Sequence, residues 1–176
     1  MVQKRKPLIV VMGVSASGKS TVGKLLAKRL GLIYADGDAF HSRANIEKMS
    51  SGVPLNDADR RPWLDAIGLW IADWRDTGAV IACSALKRAY RDRLRAAAPG
   101  TVFLQLSGGV EELRRRVAAR KDHFMPASLL DSQLETLEPL ETDEAGIAID
   151  LTLSPEAIVA AFLDYLPGHQ AFPAPL

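Results

Sequence analysis

The stretch GVSASGKS, residues 13–20, decides the fold, because it matches the phosphate-binding P-loop pattern G-x-x-x-x-G-K-[ST] at every fixed position. A short apolar run, Leu8–Met12, precedes the loop and is typical of a buried parallel strand. Apolar residues at helical spacing follow as far as Leu30, and Gly31 is a typical helix stop. The sequence therefore predicts a strand, a glycine-rich loop and a helix, which is the order that the motif requires.

The residue types of this loop predict a site for the phosphates of a nucleoside triphosphate. Its glycines let backbone N–H groups point inward around an anion, and the positive end of the next helix adds to the attraction. Lys19 is placed to reach the β- and γ-phosphates, and Ser20 is placed to hold Mg²⁺. The loop residues predicted to bind the nucleotide are Gly13, Ser15, Ala16, Ser17, Gly18, Lys19, Ser20 and Thr21.

Length and composition predict a single domain, residues 1–176, with a core of ordinary size. The net charge of +1 gives no reason to expect a nucleic-acid or membrane partner, and no apolar run approaches the roughly 18 residues of a membrane span. The single cysteine, Cys83, excludes an internal disulfide and favours a cytoplasmic location. It ends an apolar run, so we interpret it as a small buried residue. Residues 167–176 contain three prolines and predict an extended tail.

The order of apolar patterns predicts an α/β fold of three layers, in which helices flank a five-stranded parallel sheet. Ligands of such sheets bind at the carboxyl ends of the strands. The predicted strands lie near 8–12, 32–35, 79–83, 101–106 and 147–151. The predicted helices lie near 19–30, 41–50, 58–77, 87–98, 110–121, 127–137 and 155–166.

Two carboxylates follow the second predicted strand, in the run Asp36-Gly37-Asp38, and His41 comes close behind. One carboxylate is able to face the metal side of the phosphates, and the other is able to accept a proton from an attacking hydroxyl. A plain turn is the alternative interpretation, because acidic residues are common turn formers.

Cations recur near the ends of other strands, where they suit an anionic ligand. Lys87 and Arg91 are four residues apart, so they share one helix face near its start. Arg60 stands in the first turn of another helix, where a cation suits an acidic ligand better than it suits the helix. Arg116 and Arg120 share a face before a predicted lid, about 120–137, that closes over phosphates. A solvated basic surface remains the alternative for these residues.

Two absences argue against a GTPase switch. The guanine-reading run Asn-Lys-x-Asp is missing. The third strand ends in Cys83-Ser84, where a GTPase normally has an aspartate that contacts the metal side of the phosphates. We interpret Asp150, late in the chain, as structural. Together with the small size and the five strands, these features favour a small-molecule kinase of the adenylate or shikimate kinase type.

Five stretches give the chain a closer resemblance to the P-loop gluconokinases. They are GVSASGKSTV at 13–22, DGDAFHSRANIEKM at 36–49, GVPLNDADRRPWL at 52–64, CSALKRAYRDRL at 83–94 and HFMPASLLDSQLETLE at 123–138. The P-loop alone is common to many activities, but this combination is highly specific. One departure is Ser42, where the family often has proline, and it removes no functional group.

The resemblance implies ATP-dependent phosphorylation of D-gluconate at its 6-hydroxyl, with Mg²⁺, in a homodimer. We hypothesise that Ser20 and Asp36 hold the metal, and that Arg116 and Arg120 close over the nucleotide. The candidate catalytic residues are Lys19, Asp38 and Arg120, and the resemblance to shikimate-type kinases favours Asp38 as the base. The candidate substrate-binding residues are Asp38, His41, Arg60, Lys87, Arg91 and His123.

Rival functions remain open at this point. One is a P-loop kinase of another small acid or nucleotide, of the shikimate or adenylylsulfate type. The other is a non-enzymatic regulator that binds a nucleotide without transferring its phosphoryl group. Which of Asp36 and Asp38 is the base also stays open.

Overall fold

The computed structural model describes residues 6–121 and 126–166. Within these ranges, five parallel strands form one sheet with the spatial order β2-β3-β1-β4-β5. The strands are β1 (Leu8–Met12), β2 (Ile33–Asp36), β3 (Ala79–Ala82), β4 (Val102–Ser107) and β5 (Gly146–Asp150). The predicted parallel sheet is therefore confirmed. His123 and the predicted tail, 167–176, lie outside the described residues.

Seven α-helices connect and cover the strands in the described part of the chain. They are α1 (Lys19–Leu30), α2 (Arg43–Ser50), α3 (Asp57–Asp73), α4 (Arg88–Ala97), α5 (Val110–Ala119), α6 (Leu129–Thr136) and α7 (Pro155–Tyr165). A 3₁₀ turn, Gly37–Phe40, follows β2 directly. The third helix ends earlier than the sequence predicts, because a turn carries the chain from Trp74 to Gly78 before β3 begins. None of the helices in 6–121 and 126–166 is both long and apolar enough to cross a bilayer.

The core lies on both faces of the central strand, β1, and of its two neighbours, β3 and β4. β1 pairs with β3 on one side and with β4 on the other, and all five residues of β1 are buried. Helices α1 and α7 pack together, as do α3 and α4. Strand β2 is an edge strand and is partly exposed, because it has one neighbour. Cys83 follows β3 and is 2% exposed, and burial raises the pKa of its thiol to about 12, so the predicted small buried residue is confirmed.

A buried ion pair fastens the segment before β5 to α4, and it corrects one prediction. The Arg91 side chain is fully buried, and its guanidinium donates to both carboxylate oxygens of Glu144 at 2.7 and 2.8 Å. The same guanidinium donates to backbone carbonyls at the end of the β3–α4 loop and before β5. The Arg91 guanidinium therefore forms its hydrogen bonds within the protein. Arg91 joins two segments of the fold and lines neither of the pockets described below, which does not fit the substrate contact that the sequence predicted.

This arrangement stabilises the anionic form of the Glu144 carboxyl. Burial acts to raise its pKa, but hydrogen bonds from Arg91, from the Glu141 amide and from Arg95 outweigh burial and lower the pKa to about 2. Because the folded-state pKa lies below the ordinary value of 4.5, the contribution to stability is full above that value. It is lost as the pH falls from about 4.5 towards 2.

We predict that Arg91→Met and Glu144→Gln each lower the free energy of unfolding by about 3–5 kcal/mol, because each breaks a fully buried ion pair by removing one of its two charges. Urea unfolding at neutral pH measures the loss, and the acid-induced loss of stability below pH 4.5 shrinks in Glu144→Gln. Arg93→Met is the matched control, because Arg93 lies on α4 as Arg91 does, but it forms a half-exposed pair with Asp65 of α3 whose loss changes stability little. Equal effects of Arg91→Met and Arg93→Met would contradict the assignment.

Candidate active site

Three loops meet at the carboxyl ends of β1, β2 and β3, and their backbones pack closely. The Gly13 amide donates to the carbonyl oxygen of Ser84, 3.3 Å away. A Cβ atom on Gly37 would lie only 2.5 Å from the carbonyl oxygen of Ala82, so the turn after β2 requires glycine there. The close approach places the phosphate loop beside the acidic turn, as expected for parallel strands.

The loop between β1 and α1 has the conformation of an anion cradle. Gly13 has φ +150°, and a Cβ atom there would lie 2.7 Å from Ser17 Oγ. Gly18 has φ +96° at the start of α1, a left-handed conformation that glycine adopts without strain. The Ser17 hydroxyl is buried and has no hydrogen-bond partner among residues 6–121 and 126–166. The cradle and the unpaired hydroxyl fit a phosphate group.

Lys19 stands between two adjoining pockets. Its Nζ donates to the carbonyl oxygen of Val14 at 2.9 Å. Burial lowers the pKa of the ammonium group, and the nearby Asp38 carboxylate acts in the opposite direction. An ammonium desolvated in this way binds a polyanion more strongly than one in bulk water.

The acidic turn supplies oxygen ligands beside the phosphate loop. Asp36 Oδ2 accepts a hydrogen bond from Ser20 Oγ at 3.0 Å, and Oδ1 accepts one from the Asp38 amide at 3.0 Å. One hydroxyl and one carboxylate fit Mg²⁺, which is commonly bound by one or two protein oxygens together with phosphates and water. The described residues contain no cluster of three or more His, Cys, Asp or Glu that would hold a metal ion by themselves.

Most of the predicted site residues line the two pockets. The nucleotide pocket is formed by Ser15, Ala16, Gly18, Lys19, Ser20, Thr21 and Arg120. The second pocket, which we call the acceptor pocket, is formed by Lys19, Asp38, His41, Met49, Leu55, Arg60, Trp63, Ser84 and Gln133. Lys19 belongs to both, so a group bound in the acceptor pocket lies next to the phosphate loop.

His41 forms one wall of the acceptor pocket as a neutral ring. It stacks on Trp63 with 4.3 Å between ring centroids and 12° between ring planes. The Trp63 indole N–H donates to the Gly37 carbonyl at 2.7 Å, which ties this wall to the acidic turn. Burial lowers the pKa of His41 to about 4, although Asp38 acts to raise it. At neutral pH the ring therefore forms hydrogen bonds as an uncharged group.

Arg60 brings positive charge into the same pocket from the first turn of α3. Asn56 caps this helix: its side chain accepts the backbone N–H of Asp59, and the Asp59 side chain accepts the backbone N–H of Asn56. Arg60 donates to the Tyr90 hydroxyl at 3.2 Å. Lys87 donates to Asp57 at 3.0 Å and sits at the margin of this group. The structure therefore separates Lys87 and Arg91, which the sequence placed together on one ligand-facing helix side.

Arg116 on α5 and Arg120, directly after that helix, lie near the phosphate loop. Arg120 Nη1 lies 3.4 Å from Ser15 Oγ. Arg116 donates to Glu112 at 2.7 Å and to the Leu151 carbonyl at 2.8 Å. A Cβ atom placed on Gly18 would lie 3.8 Å from Arg116 Nη1. Asp150 accepts hydrogen bonds from the Thr152 amide and hydroxyl and so shapes a turn.

Sequence reasoning missed part of the acceptor pocket. Gln133 on α6 accepts the Ser15 N–H through Oε1 at 2.6 Å, and Ser84 and Trp63 also line the pocket. Met49 and Leu55 supply an apolar wall and form a small cluster with Leu129. Gln133 lies within one of the stretches that carry the family resemblance, and this was the one signal that could have identified it.

The chain is similar to known proteins over most of its length. A protein-family profile described as an AAA domain matches residues 8–140. The chain is similar to the gluconokinase of Gluconobacter oxydans, with 47% identity over 153 residues and 86% of each chain covered. It is also similar to the thermoresistant gluconokinase of Escherichia coli, with 42% identity over 162 residues, 90% of this chain and 93% of that one.

Solved structures give the same result. A sugar kinase from Janibacter superposes with a TM-score of 0.86 at 47% identity, over 93% of this chain and 98% of that one. A gluconokinase from Sinorhizobium meliloti superposes with a TM-score of 0.83 at 46% identity, over 93% of each chain. The shikimate kinase of Aquifex aeolicus shares only 15% identity, over 93% of this chain and 98% of that one, at a TM-score of 0.62, so it shows the fold alone.

Proposed function

The chain belongs to the gluconokinase family, and we propose that it transfers the γ-phosphoryl group of ATP to the 6-hydroxyl of D-gluconate, giving 6-phospho-D-gluconate and ADP. The observation that carries this proposal is the acceptor pocket. It places the carboxylate of Asp38, the cation of Arg60 and the neutral ring of His41 beside Lys19 of the phosphate loop. Such a pocket suits a substrate with one carboxylate and several hydroxyl groups.

The charges of the pocket support an orientation for gluconate. Arg60 offers a planar fork of donors that matches a carboxylate, and Lys87 adds a second positive charge at the margin. The sugar-acid carboxylate therefore faces Arg60, and its hydroxyls face His41. The opposite end of the chain, with the 6-hydroxyl, faces Asp38 and the phosphate loop. We retain His123 as a proposed substrate contact on the family resemblance alone.

Asp38 is the proposed general base. It lines the acceptor pocket, which Asp36 does not, and it lies close enough to Lys19 to act on the pKa of that lysine. Asp38 accepts the proton of the 6-hydroxyl as the oxygen attacks the phosphorus. A positioned base of this kind contributes about 10²–10⁴-fold to the rate.

The phosphate loop and the arginines stabilise the transferring group. The loop amides and Lys19 bind the phosphates of ATP, and Arg120 and Arg116 close over them and exclude water. Ser20 and Asp36 would hold Mg²⁺. When bound, that ion neutralises negative charge on the phosphate oxygens.

Two further properties are proposed for the whole protein. A free buried cysteine and the use of ATP support a cytoplasmic location. The resemblance to gluconokinases supports a homodimer, and Leu69, 68% exposed on α3 next to Trp70, offers an apolar contact for it.

A substrate panel tests the proposed function directly. With ATP and Mg²⁺, we expect rapid ADP release in the presence of D-gluconate, and little with shikimate or adenylylsulfate. The release is followed by a coupled assay, and ³¹P NMR identifies the phosphorylated position. Faster turnover with shikimate or adenylylsulfate than with gluconate would refute the proposal, as would ATP binding without any acceptor-dependent turnover.

We predict that Asp38→Asn lowers kcat for gluconate by at least about 10²-fold, because the base is lost while the shape of the side chain is kept. The KM for gluconate changes much less, and steady-state kinetics separate the two constants. Asp73→Asn, at the exposed end of α3, is the control and retains wild-type kinetics. Near-normal turnover of Asp38→Asn with unchanged gluconate affinity would exclude the base role.

Neighbouring arginines allow a matched test of carboxylate recognition. Arg60→Gln is expected to raise the KM for gluconate by about 10–100-fold, because a charged hydrogen bond to the substrate is lost. Arg61→Gln removes the same charge from the adjacent exposed position and leaves KM unchanged. If both variants raise KM equally, the general charge of the helix matters and the specific contact does not.

A further inference from the structure

The proposed reaction gives no role to Gln133, which nevertheless touches both pockets. Its side chain, on α6, is 9% exposed and lines the acceptor pocket with Lys19 and Asp38. Its Oε1 accepts the backbone N–H of Ser15 at 2.6 Å, in a buried hydrogen bond that spans 118 residues of sequence. One side chain therefore contacts the backbone of the phosphate loop and faces the space for the acceptor.

The helix that carries Gln133 is anchored at the acceptor side as well. Leu129 lies four residues earlier, on the same face of α6, and packs with Met49 and Leu55 in a buried cluster. Met49 and Leu55 themselves line the acceptor pocket. One turn of α6 thus contacts the acceptor wall, and the next turn holds the phosphate loop.

We propose that Gln133 is a positioning residue that couples the acceptor pocket to the phosphate loop, so that gluconate and the nucleotide raise each other's affinity. This inference rests on the proposed function. An acceptor in the pocket restricts the Gln133 side chain, and its bond to the Ser15 amide then orders the loop before ATP binds. The ligand that binds second therefore has less of the loop left to order, so it binds more tightly. Thermodynamic linkage makes this gain in affinity the same for either order of binding.

The chemistry of the side chain fits this role. An amide oxygen accepts the Ser15 N–H without adding a negative charge next to the phosphate loop. A carboxylate of the same length would accept the same hydrogen bond, but it would repel a polyphosphate at short distance in a partly desolvated site. Glutamine is therefore suited to hold the loop, whereas glutamate is not.

The chain contains a matched control for removing this hydrogen bond. Gln105 is also buried, at 2% exposure, and its Oε1 accepts the backbone N–H of Leu140 at 3.0 Å. It belongs to neither pocket. Gln105→Met and Gln133→Met each replace an amide by an apolar side chain of similar length, and each leaves one backbone N–H without its acceptor.

The test measures the dissociation constant of a non-hydrolysable ATP analogue with Mg²⁺ by calorimetry, with and without saturating gluconate. We expect gluconate to tighten binding by about fivefold or more in the wild type and in Gln105→Met. In Gln133→Met the ratio of the two dissociation constants, without and with gluconate, falls to about 1. Both variants lower the thermal midpoint. A ratio of 1 in the wild type, or a wild-type ratio in Gln133→Met, overturns the inference. A wild-type enzyme that leaves gluconate unphosphorylated overturns the proposed function instead.

Gln133→Glu keeps the test decisive if Gln133→Met fails to fold. We expect this variant to keep the Ser15 hydrogen bond and the wild-type thermal midpoint, and to bind the ATP analogue at least about tenfold more weakly because of charge repulsion. Wild-type affinity for the analogue in Gln133→Glu would show that residue 133 does not act on the phosphate loop, and it would overturn the inference.

Discussion

The carboxylate of Asp36 joins the two halves of the site, and the rest of the geometry depends on it. One of its oxygens accepts from Ser20 at the start of α1, and the other accepts from the Asp38 amide in the turn after β2. The phosphate loop and the turn that carries Asp38 are therefore linked by a single side chain. Because a misplacement of about 1 Å can cost about 10²-fold in rate, such a direct link suits the alignment that the proposed reaction requires.

The electrostatics of the acceptor pocket follow from how each side chain is buried. His41 is kept neutral by burial against Trp63, which suits a hydroxyl partner. Arg60 lines the same pocket at a partly exposed position, and its planar guanidinium suits a carboxylate partner. Lys19 is desolvated beside Asp38, an arrangement that a bound triphosphate would compensate. The pocket thus has a neutral polar wall and a cationic end, which matches a linear sugar acid.

Local patterns in the sequence predicted most of the fold, including the strand, loop and helix of the P-loop. The P-loop could be predicted because its residues are contiguous and each has a fixed task. The buried position of Arg91 could not be predicted, because helical spacing shows which face of a helix a residue lies on but not what packs against that face. Its partner Glu144 lies 53 residues further along. Gln133 was missed for the same reason, since its partner Ser15 lies 118 residues away. Tertiary pairing of this range leaves no periodic signal.

The central claim is that the acceptor pocket orients a sugar acid with its terminal alcohol at Asp38 and its carboxylate at Arg60. A crystal structure with gluconate, Mg²⁺ and a non-hydrolysable ATP analogue measures this most directly. The account predicts the 6-hydroxyl within about 2.6–3.2 Å of an Asp38 oxygen and the substrate carboxylate on Arg60. A gluconate bound in the reverse direction, or with its 6-hydroxyl out of reach of Asp38, would contradict it.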